Sequence, residues 1–404
     1  MSKTTNRKNL LILSFTLVIV MLGFGMVIPV FPFIITRLGA GGSALGLLVA
    51  TGALTEFLFG PVWGSVSDRA GRKPILMIGV LGYGLSLVLF GLATELWMLF
   101  AARALSGVLS SAALSTAMAY IGDSTADEER GGGMGALGAA AGLGTILGPG
   151  LGGWLGGGSL STPFFIGAGL SLVALLLVAL LLPETLPREA RAPATGKLAL
   201  VNFRGLWQAL FSPIGTLLLL AFLATVGTSN FEAVFSLYVL KKFGYGPEMV
   251  GVMLTVLGVV ALIARGVLTG VATRRWGEPA VIKGALLAGA LCFVFLRLAN
   301  DFVTVVLGAG LFALITAFLR PAIHALTSKR ATVGQGAAMG LSNSCVSLGR
   351  VAGPLWAGAL FDVNIEYPYL SGAVILGLVF LVGLAWLVPA GDGSTAVPLQ
   401  PPVR

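Results

Sequence analysis

Six ionisable side chains stand inside long apolar runs of this sequence: Glu56, Glu232, Arg103, Arg265, Arg320 and Arg350. A charge surrounded by hydrocarbon is unstable unless paired or wetted, so each is a functional candidate by default. Glu56 stands about thirteen residues into its run, roughly 18–20 Å along a helix. A carboxyl at that depth can be kept protonated by desolvation and would ionise when its surroundings wet or a cation arrives. A proton and a cationic ligand then compete for one group, which is the chemistry that exchange requires. The structural alternative is a neutral glutamic acid hydrogen-bonded between helices.

Glu232 lies in the stretch Asn230-Phe231-Glu232-Ala233-Val234-Phe235-Ser236-Leu237-Tyr238. Phe231, Phe235 and Tyr238 recur at i, i+4 and i+7, a stripe that can stack on a flat or cationic molecule or simply pack. With it, Glu232 is a second proton or cation site. Arg103 has no acid on its own run and must pair across helices, with Glu56 or Glu232, or hold a carbonyl. Its expected part is to tune a carboxyl and carry a proton relay. Arg265 and Arg320 stand where a long side chain can snorkel to the surface. Arg350 stands too deep for that and is a gate or anion-contact candidate. His324, the one histidine, falls near a run end, where an interfacial structural role is expected.

The elements that must position these groups are membrane helices. Hydrophobic residues make up 56% of the 404, charged residues 10%, and the mean hydropathy is +0.97. Runs of this length and apolarity are spans, not buried soluble helices. Glycine, at 58 residues, is about twice its usual share, which suits helices whose backbones approach closely. Cys292 and Cys345 both fall within apolar runs and read as packing residues, with no disulfide framework or metal cluster indicated. The net charge of +9 follows loop position and forms no patch, so no nucleic-acid partner is indicated; the lipid bilayer is the expected partner.

The first run, about 10–35, follows Lys3, Arg7 and Lys8 and exceeds the apolar region of a cleaved signal, so it is read as a retained span. Further spans are expected at 44–67, 74–93, 97–121, 133–156 and 163–183, then 213–239, 248–271, 280–299, 302–327, 334–361 and 367–389. A proline-rich polar linker with a short surface helix at 203–211 separates the two sixes. The domains are then 1–183, a linker 184–212, and 213–404 with a short tail. Assigning alternate loops to the two sides puts 17 Lys and Arg with the N-terminus, four opposite and four inside the spans, which accounts for all 25. Both termini are therefore expected in the cytoplasm of a cell with a plasma or inner membrane.

The halves repeat. Met134-Gly135 and Gly148-Pro149 return as Met339-Gly340 and Gly353-Pro354, and Gly64-x-x-x-Asp68-Arg69-x-Gly71 returns in part as Gly270-x-x-x-Arg274-Arg275-x-Gly277. Gly64 to Pro74 is a charged turn between two spans: Gly71 is expected as a left-handed cap, Pro74 in the next first turn, with Arg69, Arg72 and Lys73 holding it at the membrane surface. The same stretch, G-x-x-x-D-R-x-G-R-K, resembles the loop 2–3 signature of the major facilitator superfamily. Gly144, Gly148, Pro149, Gly152 and Gly153 resemble that superfamily's antiporter motif, Arg103-Ala-Leu-Ser-Gly107 a motif of its proton-coupled members, and Pro183-Glu184-Thr185 the usual exit from span six. Together they are similar to the 12-span drug:proton antiporter family, which includes tetracycline and multidrug exporters.

That resemblance implies an all-α membrane protein of the major facilitator fold, with 12 transmembrane helices in two pseudo-symmetric six-helix bundles. It implies alternating access around a central cavity, export of amphipathic or cationic drugs in exchange for protons, no cofactor beyond the proton gradient, and a monomer. The turn at Gly64, Asp68, Arg69, Gly71, Arg72 and Lys73 becomes a cytoplasmic gate; Arg350, Gly353 and Pro354 become a possible gate. Asp123, Asp127, Glu128 and Glu129 become candidate latch partners for Arg69 and Arg72. The tetracycline exporters' first-span aspartate is here Val20, which puts tetracycline itself in doubt. A proton-coupled transporter of a sugar, peptide or organic anion, and a non-transporting membrane sensor, stay open. No phosphate loop or catalytic triad marks an enzyme.

Overall fold

The computed structural model describes residues 3–124, 127–191, 193, 200–212, 214–331 and 334–387, and every regular element among them is helical. In chain order these are α1 (Lys3–Val27), α2 (Phe31–Arg37), α3 (Gly42–Ala70), α4 (Arg72–Gly91), α5 (Leu96–Ser124), α6 (Asp127–Gly158) and α7 (Thr162–Leu181). After the linker follow α8 (Phe203–Leu210), α9 (Gly215–Phe243), α10 (Pro247–Ile263), a π turn (Ala264–Leu268), α11 (Thr269–Trp276), α12 (Glu278–Leu298), α13 (Phe302–Arg330), α14 (Gln335–Val363) and α15 (Tyr367–Trp386).

Two expected spans are broken. The first bends at 28–30, between α1 and α2, because Pro29 and Pro32 withhold backbone donors. The eighth passes through the π turn before α11 continues. Eleven described stretches are long and apolar enough to cross a membrane, and α14 is not among them. Its 29 residues include five Gly, three Ser and Asn343, as well as Arg350, and it packs against α3 on one side and α9 on another. Helix stops follow local chemistry: Gly71, Gly244 and Gly277 all take positive φ. Gly71 is not a left-handed helical cap as expected; its φ of 106° and ψ of 159° lie in an extended region that only glycine enters freely.

Helices α1 and α3–α7 pack on one another, as do α9, α10 and α12–α15, and the two sets meet chiefly along α3 with α14 and α6 with α10. Glycines set both the internal and the crossing contacts. Gly144, Gly148 and Gly152 lie against the α1 backbone, where a Cβ at Gly148 would come within 2.6 Å of the Gly25 Cα. The adjacent face of α6 meets the other set: a Cβ on Gly251 would lie 2.5 Å from the Pro149 carbonyl and 2.9 Å from the Gly153 Cα. The second half repeats the pattern. Gly349 and Gly353 lie against α9, while Pro354 and Gly358 meet Gly46 and Gly42 of α3.

These crossings sit at one end only, the end remote from the N-terminus and from the 64–73 turn. There the Asp362 carboxylate also accepts the backbone N–H groups of Gly42 at 2.6 Å and Ser43 at 2.8 Å, tying the end of α14 to the first turn of α3. Toward the basic end the same helices part. A Cβ at Gly60, Gly64, Gly135, Gly138, Gly336 or Gly340 would meet no atom within 4 Å. Among the described residues, the cleft between the two sets is thus closed at the far end and wider at the basic end.

Asp362→Ala and Gly251→Val are each expected to favour opening of the far end by about 1–3 kcal/mol, a factor of about 5–150. Spin labels at positions 159 and 249, on α6 and α10 flanks of the far end, should report a longer mean distance in both variants; an unchanged distance would refute the seal.

Candidate functional site

Arg103 on α5 crosses behind Gly52 of α3, where any side chain would collide with its guanidinium. The residue is half-buried. Its Nε is shut off from solvent without a hydrogen-bond partner, and its guanidinium carbon stands 5.8 Å and 5.7 Å from the ring centres of Phe24 and Phe31. The aromatic faces give it part of the stabilisation that water would. Three charged or phenolic groups act on it: Glu56, Tyr83 and, from the other bundle, Arg350. The expected cross-helix neighbour of Arg103 is thus Glu56, with Glu232 elsewhere.

Glu232 acts instead on Arg320 of α13, together with Arg350 and Arg265. Arg350 belongs to both neighbourhoods, so all six embedded charges converge on the cleft between the bundles. Glu56, Glu232, Arg265, Arg320 and Arg350 are all exposed, and only Arg103 is partly enclosed. Arg265 and Arg320, expected to snorkel away, stand near each other on the cleft wall. The π turn that carries Arg265 could not be read from the sequence; Thr269 Oγ1 donates to the Ala264 carbonyl at 2.9 Å at its end.

The aromatic stripe departs from expectation. Phe231, Phe235 and Tyr238 are buried and point into the second bundle, with the Phe231 ring centre 4.6 Å from that of Phe312 and the Tyr238 ring centre 4.3 Å from that of Tyr369. Glu232 is one residue, about 100° of helix, from Phe231 and so faces the cleft while the rings form core. Asn230 is buried beside them and donates to the Pro368 carbonyl and to Ser371 Oγ, both at 2.9 Å, fixing α9 on α15. His324 lies 3.3 Å from Ser342 Oγ, between α13 and α14.

The turn at 64–73 is tied within the first bundle. Arg72, buried, pairs with Asp68 at 2.6 Å and Asp123 at 2.7 Å, and donates to Ser67 Oγ. Glu184, just past α7, accepts the backbone N–H groups of Arg72 and Lys73, and the Lys73 ammonium donates to the Ala179 carbonyl at 2.7 Å. Arg69 reaches Ser65 Oγ at 3.5 Å. Of the expected latch acids, Asp123 meets Arg72; the side chains of Asp127, Glu128 and Glu129 lie outside the described residues. In the second bundle Glu278 and Lys329 pair at 2.5 Å. They hold the places that the repeat makes equivalent to Arg72 and Asp123, with the charges exchanged.

The Major Facilitator Superfamily profile matches residues 13–295 and, again, 217–402. The chain belongs to the Major Facilitator Superfamily. Among superfamily relatives, it is 33% identical over 387 residues to Multidrug resistance protein 2 of Bacillus subtilis, covering 95% of this chain and 96% of that one. It is 30% identical over 377 residues to the Quinolone resistance protein NorA of Staphylococcus aureus, covering 93% and 96%. Among superfamily structures, the nucleoside transporter NupG superposes with a TM-score of 0.79 at 13% identity, over 93% of this chain and 98% of that one. A bacterial homolog of the human lysosomal transporter Spinster, inward-facing and unoccupied, gives 0.74 at 16%, over 96% and 97%. At such identities these two show the superfamily fold.

Arg72→Gln should destabilise this protein by about 1.5–3 kcal/mol, since it leaves Asp68 and Asp123 facing each other without their shared donor. Thermal unfolding in detergent would register it, with Arg72→Lys falling in between; equal midpoints for all three would show the pair to be idle.

Proposed function

We propose that this protein is a secondary active transporter that exports amphipathic or cationic drugs in exchange for protons, by alternating access of one cleft to the two sides of a plasma membrane. The observation that carries the reading is the placement of Glu56 and Glu232: two carboxyls at membrane depth, both exposed to a cleft between two bundles and each beside an arginine. A carboxyl in such a cleft exchanges its proton when the cleft wets and gives it up when a ligand neutralises the charge. The relatives named for multidrug and quinolone resistance supply the direction and the substrate class.

The excess of Lys and Arg at the basic end supports a cytoplasmic position for that end and for both termini. The cleft as seen then opens inward and loads drug from the cell. Separating the far-end crossings while the bundles close on each other at the basic end would expose it outward. The chain carries out this cycle as a monomer, with the proton gradient as its only energy source.

Adding a transported drug to acid-loaded everted vesicles should alkalinise the lumen, and Glu56→Gln or Glu232→Gln should reduce that response to background while drug binding persists. Undiminished coupling in the double glutamine variant would refute carboxyl-coupled exchange.

A further inference from the structure

We infer that Arg265, Arg320 and Arg350 form a subsite for an anionic group, a carboxylate or an oxyanion of similar size, on the transported molecule, so that acidic and zwitterionic amphiphiles are preferred over simple lipophilic cations. The inference rests on the transport reading above and narrows its substrate class.

The π turn with Arg265 and helix α14 with Arg350 both pack on α13, which carries Arg320. Helix α13 also touches α9, which carries Glu232, so three exposed guanidiniums lie around a single carboxylate. The first bundle adds Arg103 against Glu56, and Arg350 acts on Arg103 as well. Four cations thus face two acids, and protonating either acid during exchange widens the excess. Several other described acids are engaged away from it. Asp68 and Asp123 hold Arg72, Glu278 holds Lys329, Glu366 holds Arg297, and Asp362 caps α3. Like charges gathered in a partly enclosed cleft repel until an anion enters, and a planar guanidinium fork matches a carboxylate in a bidentate way.

Two local features point the same way. Arg265 stands in the π turn, whose extra residue rotates it relative to a regular helix; such turns recur at functional sites. Arg103 is wedged against Gly52 with its Nε buried and unpartnered, so its charge is not offset by a hydrogen-bond partner there. A lone lipophilic cation would add to the excess, whereas a carboxylate with an aromatic or amine-bearing body would neutralise it and leave its other end for Glu56 or Glu232.

Equilibrium binding to the purified full-length protein in detergent tests this with an aromatic amphiphilic carboxylic acid, its methyl ester and tetraphenylphosphonium. The acid should bind at least about tenfold more tightly than its ester. Arg320→Gln and Arg265→Gln should each bring the ratio of acid to ester affinity to about one, and Arg320→Lys should keep part of the preference. Retained ester binding shows that each variant is folded, and the acid–ester comparison in the unaltered protein decides even if one is not. Equal binding of acid and ester, or tighter binding of tetraphenylphosphonium than of the acid, overturns the subsite. Vesicle transport of the same three compounds separates the two readings. An acid preference in binding with none of them transported would sink drug export and leave the subsite; transport of ester and cation without acid preference would do the reverse.

Discussion

Helix α3 touches α14, and α6 touches α10, backbone to backbone, through Gly46 with Pro354 and Gly358, and through Gly251 with Pro149 and Gly153. In a bilayer the apolar side chains of two helices gain little by leaving lipid for each other, so association rests on close fit of small residues. The internal repeat makes the two crossings equivalent, and each uses the face of α6 or α14 next to the one packed within its own bundle. A helix so placed has its inner face committed to its bundle and its outer face committed to the other one. Loosening the outer contact leaves the bundles intact, and that is the mechanical condition for two rigid bodies to rock.

The same geometry decides where the embedded charges can live. With the closest contacts at the far end, the cleft widens toward the basic end, and Glu56, Glu232, Arg265, Arg320 and Arg350 stand exposed in it. Water can then reach them, which removes most of the penalty for a charge at membrane depth. Arg103 is the exception, and its surroundings differ accordingly: two aromatic rings, a glycine that makes room, and no partner for Nε. Wedged in next to the cleft, it contributes a fixed positive potential where the other groups contribute mobile ones.

Apolar run length made the spans legible, because the bilayer sets the length of an unbroken helix whatever the rest of the fold does. It failed where backbone detail overrode it. Proline at 29 and 32 broke the first span, a π turn interrupted the eighth, and α14 is recognisable as a span by its length and repeat, with its hydropathy too low to signal one. Each embedded charge could be found singly by its type and depth. Their grouping could not, because Arg265 and Arg350 come to Arg320 only through the packing of the π turn and of α14 on α13. The stripe of Phe231, Phe235 and Tyr238 was misleading for a related reason: helical spacing shows that residues share a face, not what that face meets. One residue separates Glu232 in the cleft from Phe231 in the core.

The two bundles also differ in a way that bears on the charged turn. Arg72 with Asp123, and Glu278 with Lys329, occupy equivalent places in the repeat, yet the polarity is reversed. Gly71 and Gly277 precede them, both with positive φ. What the repeat preserves is thus a glycine stop followed by an ion pair across to the end of the next helix, with either sign. A pair whose polarity is free serves to fix one helix end against another within a bundle, since binding of a particular ion or surface would demand one sign. Glu184 strengthens this on the first side by accepting the free N–H groups at the start of α4. The turn at 64–73 therefore moves with its own bundle as a stiff edge, and the closest contacts between the bundles lie at the opposite end of the molecule.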